Sequence, residues 1–535
     1  GSQNFAVGAS ALICNTTGSN NVAIGVNALK DNTCGNLNTA IGCLTLFNNT
    51  EGCSNTAIGD FALCDNTTGC CNVSIGSNTM TSNTTGLRNV AIGSQSLINN
   101  TTGSCNVALG MQSLLCNVDG CHNFAAGSVT LFNNVSGSNN FAAGNVAGCG
   151  IIGGCHNFAV GSNTLQCNKY GNGNIAAGFI AGQKITGNHN IAFGQQSLQN
   201  VTTANSNIGI GCLALFGCSD GATGGCNVSV GLGGLCSLTT GCCNIAIGCF
   251  PLACNSSGCS NIGIGTFALF GNTSGYRNVA IGDNSLRCNT EGEYNVALGY
   301  LGLTCNTTGG CNVAVGKEVI KCNDTGHSNV ALGHCTMFFN VSGDHNIAIG
   351  SNAIKTGTRG CCQIALGQDA LNKSCGNFNI AFGSQALKNN TTGTNNFAAG
   401  ICALTDNSTG NQNIALGNIA MFNNTSGISN IAIGGSEALR CNTTGNYNIA
   451  LGAAAMAGNT CGCCSLALGL NAGRCTASSV VTEACNSIAL GTRSRFCTTT
   501  PTNEIVIGVD ACGIGDNTVT LGNDSITTTA LKGNV

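Results

Sequence analysis

A parallel β-solenoid is the fold class this sequence predicts, and three observations predict it. The first is a repeat. Asn21-Val22-Ala23-Ile24-Gly25 recurs as Asn38-Thr39-Ala40-Ile41-Gly42 and as Asn55-Thr56-Ala57-Ile58-Gly59, and so on almost to the end of the chain. Counted by its closing glycine, the motif occurs 31 times from Gly8 to Gly522, and 24 of the 30 intervals are seventeen residues. A fixed period in this range marks a stacked architecture in which each repeat buries its apolar face against the next. The second is apolar alternation with period two inside the motif, the signature of a strand, with no 3.6-residue spacing anywhere. The third is composition. Charged residues make up only 7% of the chain, against about 25% in ordinary domains, while 43% are hydrophobic and 80 of the 535 residues are glycine. Regularly spaced apolar residues at that level distinguish the chain from a disordered low-complexity segment.

Each repeat reads as two short strands and two turns. In the first strand, Val22 and Ile24 flank Ala23. The residue before the glycine is apolar throughout (Ile24, Ile41, Ile58, Leu109, Phe193, Phe382, Leu521), so it is expected to line a dry interior. The intervening alanine then faces the other way, and its small, uncharged character predicts a packed contact there. The second strand is expected at Ala11-Leu12, Ala28-Leu29 and Ala62-Leu63, with the leucine closing the same core. Asn-Thr-Thr-Gly supplies the return turn, where Asn and Gly tolerate positive φ. At about 4.8 Å per strand, 31 such rungs would measure roughly 150 Å.

Six intervals are irregular, and where residues are inserted they are expected to become loops, most of all at Cys218 through Gly225 and at Cys475 through Glu483. Residues 1–522 read as the solenoid and 523–535 as a separate C-terminal segment. The chain opens at Gly1 without a methionine and already inside a repeat, which reads as a processed product or part of a longer precursor.

The asparagine that opens the motif (Asn21, Asn38, Asn55, Asn72, Asn89, Asn106 and onward) is replaced only by Gln363, Ser465, Ser487, Glu504 and Thr518. Stacked side-chain amides of this kind can form a hydrogen-bonded ladder along the axis. The Asn-x-Thr/Ser sequons Asn15, Asn66, Asn83, Asn255, Asn306, Asn340, Asn407 and Asn442 are candidate glycan acceptors on the turn edge; Asn and Thr are also simply good turn formers.

The 39 cysteines are phased, most of them flanking the Asn-Thr-Thr-Gly turn. Cys254 and Cys259, Cys305 and Cys311, Cys116 and Cys121, and Cys149 and Cys155 face one another across a turn. Cys53 and Cys70, Cys242 and Cys259, Cys288 and Cys305, and Cys305 and Cys322 stand one rung apart. A rung of about 4.8 Å falls within the roughly 4.4–6.8 Å Cα separation a disulfide accepts. Cross-turn, axial and interchain bonds all remain open, and any of them would staple thin rungs. So many thiols fit an oxidising, extracellular setting better than a cytosol.

The pattern Asn-x-Ala-Ile-Gly-x-x-Ala-Leu with Asn/Thr/Gly turns resembles the YadA-like head repeat of trimeric autotransporter adhesins and the related repeats of phage and virus tail fibres. The stretch from Asn517 to Val535, Asn-Thr-Val-Thr-Leu-Gly-Asn-Asp-Ser-Ile-Thr-Thr-Thr-Ala-Leu-Lys-Gly-Asn-Val, looks like the neck where such heads meet a stalk. The resemblance implies a left-handed β-roll, a homotrimer about a three-fold axis, and a place on a cell or virion surface. The seventeen-residue period and the many cysteines depart from the adhesins. An end at Val535 without anchor, stalk or chaperone domain favours a released fibre.

His122, His156, His189 and His345 share one phase, just before the motif asparagine; they read as polar turn residues rather than metal ligands. No paired carboxylates share a phase, and no nucleophile elbow or phosphate loop occurs, so neither enzymatic activity nor a cofactor is expected. A net charge of -3 gives no footprint for nucleic acid, and no run of about twenty apolar residues predicts membrane insertion. The expected function is a disulfide-stapled trimeric fibre, a spacer or adhesin recognising a host-surface glycan or protein. The alternative is a head-to-tail filament without a specific receptor.

Overall fold

A computed structural model describes residues 1–475, 481–528 and 530. The chain divides into two compact units, Gly1–Ser274 and Gly275–Val535. In each, the motif copies form short strands stacked parallel and in register. In the first unit Val22–Ile24 pairs with Thr39–Ile41, Val22 opposite Thr39 and Ala23 opposite Ala40, and the series runs from Phe5–Val7 to Ile262–Ile264. In the second it runs from Val279–Ile281 to Val519–Leu521, with Val279 opposite Val296 at its start. Each unit is therefore a parallel β-solenoid of roughly seventeen residues per turn. Among the described residues there is no helix, and so none long and apolar enough to cross a membrane.

The coil is turned inside out relative to the sequence expectation. The central alanine of the strand faces inward: Ala23, Ala40, Ala57, Ala91 and Ala108 are all fully buried. The residues on either side face outward, with Ile41 and Ile58 each 36% exposed and Phe193 41%. The reason is the width of the coil. Its interior holds one methyl from the strand, a second alanine such as Ala28, one leucine such as Leu29, and the side chains of two asparagines, Asn21 and Asn32, all at 0% exposure. A Val or Ile pointing inward would overfill that cross-section; only in the last coils does the central position hold a larger residue, the buried Val506.

The expected second strand is also replaced. Leu29, Leu63 and Leu97 are buried as anticipated, but they sit in a turn at φ of 49°, 53° and 50°. A left-handed leucine costs about 1–2 kcal/mol. Contacts between coils offset the cost: the Leu29 amide donates to the Thr45 carbonyl at 3.0 Å, and the side chain fills the core. Among the described residues a true second strand forms only near the C-terminus, where Arg474–Cys475 pairs in parallel with Arg495–Phe496 and Phe496 becomes the largest buried side chain. The closing glycine is obligatory. Gly25 has φ 139°, and a Cβ there would lie 2.2 Å from the Gly42 carbonyl oxygen.

Side-chain ladders join successive coils; besides one of turn threonines, such as Thr33 Oγ1 donating to the Thr50 carbonyl at 3.0 Å, three matter here. In the first, the Asn38 amide donates to Asn21 Oδ1 at 2.9 Å, and Asn38 Nδ2 donates to the Gly52 carbonyl of the next turn at 2.8 Å. Asn55, Asn72, Asn89 and Asn106 continue the series at 2.9–3.0 Å. The second consists of the Asn-Thr-Thr-Gly asparagines: Asn49 Nδ2 donates to Asn32 Oδ1 at 2.8 Å and to its own turn carbonyl, Gly52, at 3.0 Å. Both ladders thus converge on the turn-glycine carbonyl. In the third, the residue after the turn glycine accepts the matching amide of the coil before, as Ser104 Oγ does from Leu87 at 3.0 Å and Asn36 Oδ1 from Ser19 at 2.8 Å.

Of the expected loops, Ser219 and Asp220 do protrude, while Ala222 turns back into the core and bridges Val201. In the second, residues 476–480 lie outside the described residues. So do 529 and 531–535 of the 523–535 segment. Its beginning is exposed, with Asn523 Nδ2 donating to the Val509 carbonyl at 2.8 Å.

Candidate interaction face

Because alanine faces inward, each strand presents two apolar side chains to the outside. One row runs through Val22, Val73, Val90, Val107, Phe124, Phe141 and Phe158, and the other through Ile24, Ile75, Ile92, Leu109, Ala126, Ala143 and Val160. In the second unit the rows are of the same kind: Val279, Val296, Val313, Ile347 and Ile364 beside Ile281, Leu298, Val315, Ile349 and Leu366. No charged residue occupies either row in any strand of the motif series, and only Thr39 and Thr56 interrupt the apolar character. Exposures of 41% for Ile92, 42% for Ile210 and 43% for Ile349 make this a continuous apolar surface within each unit. Soluble monomers rarely leave such a patch uncovered.

At three coils a phenylalanine in the first row stands beside an alanine in the second (Phe124 and Ala126, Phe141 and Ala143, Phe397 and Ala399), while Phe5 and Phe158 stand beside Val7 and Val160. Where the second carries Phe193 or Phe382, the first carries Ile191 or Ile380 rather than an aromatic. Phe124, Phe141 and Phe158 stack along the axis with ring centroids 4.7 and 5.1 Å apart.

The cysteines take up two kinds of place. No disulfide joins them among the described residues. Cys53, Cys70 and Cys259 lie on the third ladder, where Cys70 Sγ accepts the Cys53 amide at 3.0 Å and Cys259 Sγ accepts the Cys242 amide at 3.1 Å. Cysteine there substitutes for the serine or asparagine of other coils. Cys242 and Cys259 bring their sulfurs to 3.0 Å, and hydrogen bonding to Cys259, followed by burial, pushes the Cys242 thiol up to about 12. Cys288, Cys305 and Cys322 form an axial column in which burial, with both neighbours adding, raises the Cys305 thiol. The cross-turn pairs face different neighbours instead. Cys254 interacts with Cys236 and Cys259 with Cys242. Cys149 points to the Gln166 carbonyl, while Cys155 accepts the Ser138 amide. Cys116 is raised by burial alone, whereas Cys121 donates to the Asp119 carbonyl. Cys311 is exposed. The structure thus brings together the one-rung pairs.

The sequon asparagines belong to the second ladder, which corrects the expected glycan edge. Asn66, Asn83, Asn255, Asn306, Asn340, Asn407 and Asn442 are buried, with at most 1% exposure, and only Asn15 is half-exposed. Asn66 Nδ2 donates to Asn49 Oδ1 at 2.7 Å and to Gly69 at 2.9 Å, leaving that nitrogen no hydrogen and no space for a sugar. The Asn-Thr-Thr-Gly composition is that of an exposed turn, so the sequence alone does not mark these residues as buried. Only the stacking shows that the asparagine points inward. His122, His156, His189 and His345 are exposed at φ of 56–59°, in polar turn positions.

No protein-family model matches the chain, and no curated protein sequence matches it.

Proposed function

We propose that this chain is a non-enzymatic subunit of an extracellular fibre at a cell or virion surface, in which three copies pack through the two-row apolar face. The assembly acts as a spacer or adhesin that recognises a host-surface glycan or protein. The observation that carries the reading is the uncharged, exposed Val/Ile/Phe face, which needs a covering surface of the same periodicity. A further copy of the chain has that periodicity by construction. Recognition falls to the variable exposed residues outside the face, among them Phe61, Tyr170 and the loop at Ser219 and Asp220. The axial thiol pairs are where an oxidising environment would add covalent staples, Cys242 and Cys259 first.

Sedimentation equilibrium tests the assembly: the expected mass is three times the 53.3 kDa of one chain. Phe141→Asp should shift it toward a single chain, since an unpaired charge buried at such a contact costs several kcal/mol. A stable wild-type monomer would refute the proposal. For the adhesive role, binding to a glycan array or host-cell surface should be saturable, and its absence at high valency would leave only the spacer role.

A further inference from the structure

One cluster of chemically active side chains lies apart from the apolar face. Glu318 and Cys335 hold the same position in successive coils, two residues after Gly316 and Gly333, so stacking places one above the other. His334, next to Cys335 in the chain, turns back onto the same point. Cys335 Sγ lies 3.5 Å from Glu318 Oε2 and 3.5 Å from His334 Nε2, and the three ligand atoms all lie within 4.8 Å of one another. Cys335 is only 7% exposed, Glu318 is half-buried, and His334 opens to solvent.

We propose that Glu318, His334 and Cys335 form a binding site for a borderline divalent metal ion of the zinc type, clamping two consecutive coils. The donor set is one thiolate, one imidazole and one carboxylate, the ligands zinc takes. The spacing fits as well. Bonds of about 2.3 Å to sulfur and about 2.0–2.1 Å to nitrogen or oxygen, at a tetrahedral angle, put sulfur about 3.5 Å from each of the other donors. Both separations from the sulfur, to Glu318 Oε2 and to His334 Nε2, have that value. The solvent-facing side beside His334 leaves room for water as fourth ligand.

The charges around the site define how it works. Lys321 Nζ lies 3.4 Å from Glu318 Oε1, which leaves Oε2 as the single oxygen facing the sulfur. Lys317 and Lys355 also act on the cluster. These three lysines oppose a cation, so affinity comes from the anionic pair of thiolate and carboxylate. Without metal, the Cys335 thiol donates its proton to Glu318 Oε2. Burial, then that bond and the carboxylate's charge, raise the thiol above its ordinary range. Binding replaces that proton: the S–H bond breaks, a sulfur–metal bond forms, and one proton leaves to solvent. The order of contacts also argues against a nucleophilic cysteine. The carboxylate touches the sulfur rather than the imidazole, so it suppresses the thiolate instead of orienting a base.

The test follows Cys335 itself, because many other thiols would obscure total metal uptake. The rate of Cys335 alkylation is read by peptide mass spectrometry in the full-length protein, with and without buffered zinc at about micromolar free concentration. Zinc should slow Cys335 at least tenfold, and millimolar magnesium should not. In His334→Ala and Glu318→Gln the zinc effect should fall below threefold while each variant keeps its own zinc-free rate as reference. Equal rates with and without zinc in the wild type would overturn the proposal. So would protection that survives in both variants, because the sulfur would then bind metal without the cluster.

Discussion

Replacing Asn89 by alanine isolates what the first ladder contributes, because each of its bonds can be counted. Asn89 is fully buried; its Oδ1 accepts the Asn106 amide at 2.9 Å and its Nδ2 donates to the Gly103 carbonyl at 2.8 Å. The Gly103 carbonyl keeps Asn100 Nδ2 at 2.9 Å, so it loses one of two donors. The Asn106 amide loses its acceptor in a place water does not reach. An unsatisfied buried donor costs about 1–3 kcal/mol and the second lost bond about 0.5–1.5 kcal/mol, so the substitution should cost about 1.5–4.5 kcal/mol. A solenoid couples mainly neighbour to neighbour, so the loss should stay local. Native-state hydrogen exchange is therefore the assay. At 1.4 kcal/mol per tenfold, exchange of the Asn106 amide should accelerate by about 10-fold to 1,600-fold, while the Ile208 amide, several coils away, is unchanged. The chain supplies its own control. Where serine stands in the ladder, Ser465 Oγ still accepts the Ser487 amide, at 3.2 Å, and donates to the Ala484 carbonyl at 2.9 Å. Asn89→Ser should thus lose less than half as much as Asn89→Ala. An Asn106 rate within threefold of wild type in Asn89→Ala would refute the ladder as a stabilising element.

Gln363 takes the ladder position with a side chain one methylene too long, and both its Nε2 and Oε1 are buried without a partner. Gln363→Asn should stabilise its coil by about 1–3 kcal/mol, seen as slower exchange of the Asn379 amide; no gain would mean the longer amide is satisfied after all. Val129 is β-branched at φ 59°, in a position other coils give to Asn27 and Asn78. Val129→Asn should raise local stability by about 1 kcal/mol, measurable as lower amide exchange in that coil. Glu504, fully buried in the last coils, accepts the Cys497 and Gly515 amides at 3.1 Å, yet burial raises its pKa. A raised folded-state pKa favours the protonated form, so its contribution is complete below the unfolded value of about 4.3 and is lost as pH rises through the folded value. Protection of the Gly515 amide, corrected for intrinsic exchange, should fall as pH rises over that window, and Glu504→Gln should abolish the dependence.

The fold was legible in the sequence because the seventeen-residue spacing is also the strand register, as in Val22 opposite Thr39. What was not legible is which strand face is inside. Period-two alternation separates Ala23 from Ile24 but does not orient them, and the usual preference for burying the larger residue gave the wrong answer in a coil too narrow for it. A signal for the correct orientation was present. The central position is Ala, Ser74, Ser229, Gly209 or Gly263 in nearly every coil, never larger until Val506 and Thr520, which is the mark of a size limit. The left-handed leucines left no trace, since nothing in their chemistry favours positive φ. The Glu318, His334 and Cys335 cluster leaves no single-phase signal in the sequence, because it joins different residue types stacked across coils.

The most direct measurement of the central claim is oxidative footprinting of the native assembly, read at individual phenylalanines. Phe141 on the face is 37% exposed in the single chain and Phe193 is 41%, much the same as Phe61, which is 40% exposed and lies off the face. If copies of the chain cover the face, Phe141, Phe193 and Phe382 should label at least tenfold more slowly than Phe61, and Phe141→Asp should restore labelling of Phe158. Labelling of Phe141 and Phe193 as fast as Phe61 in the wild-type protein would contradict the account.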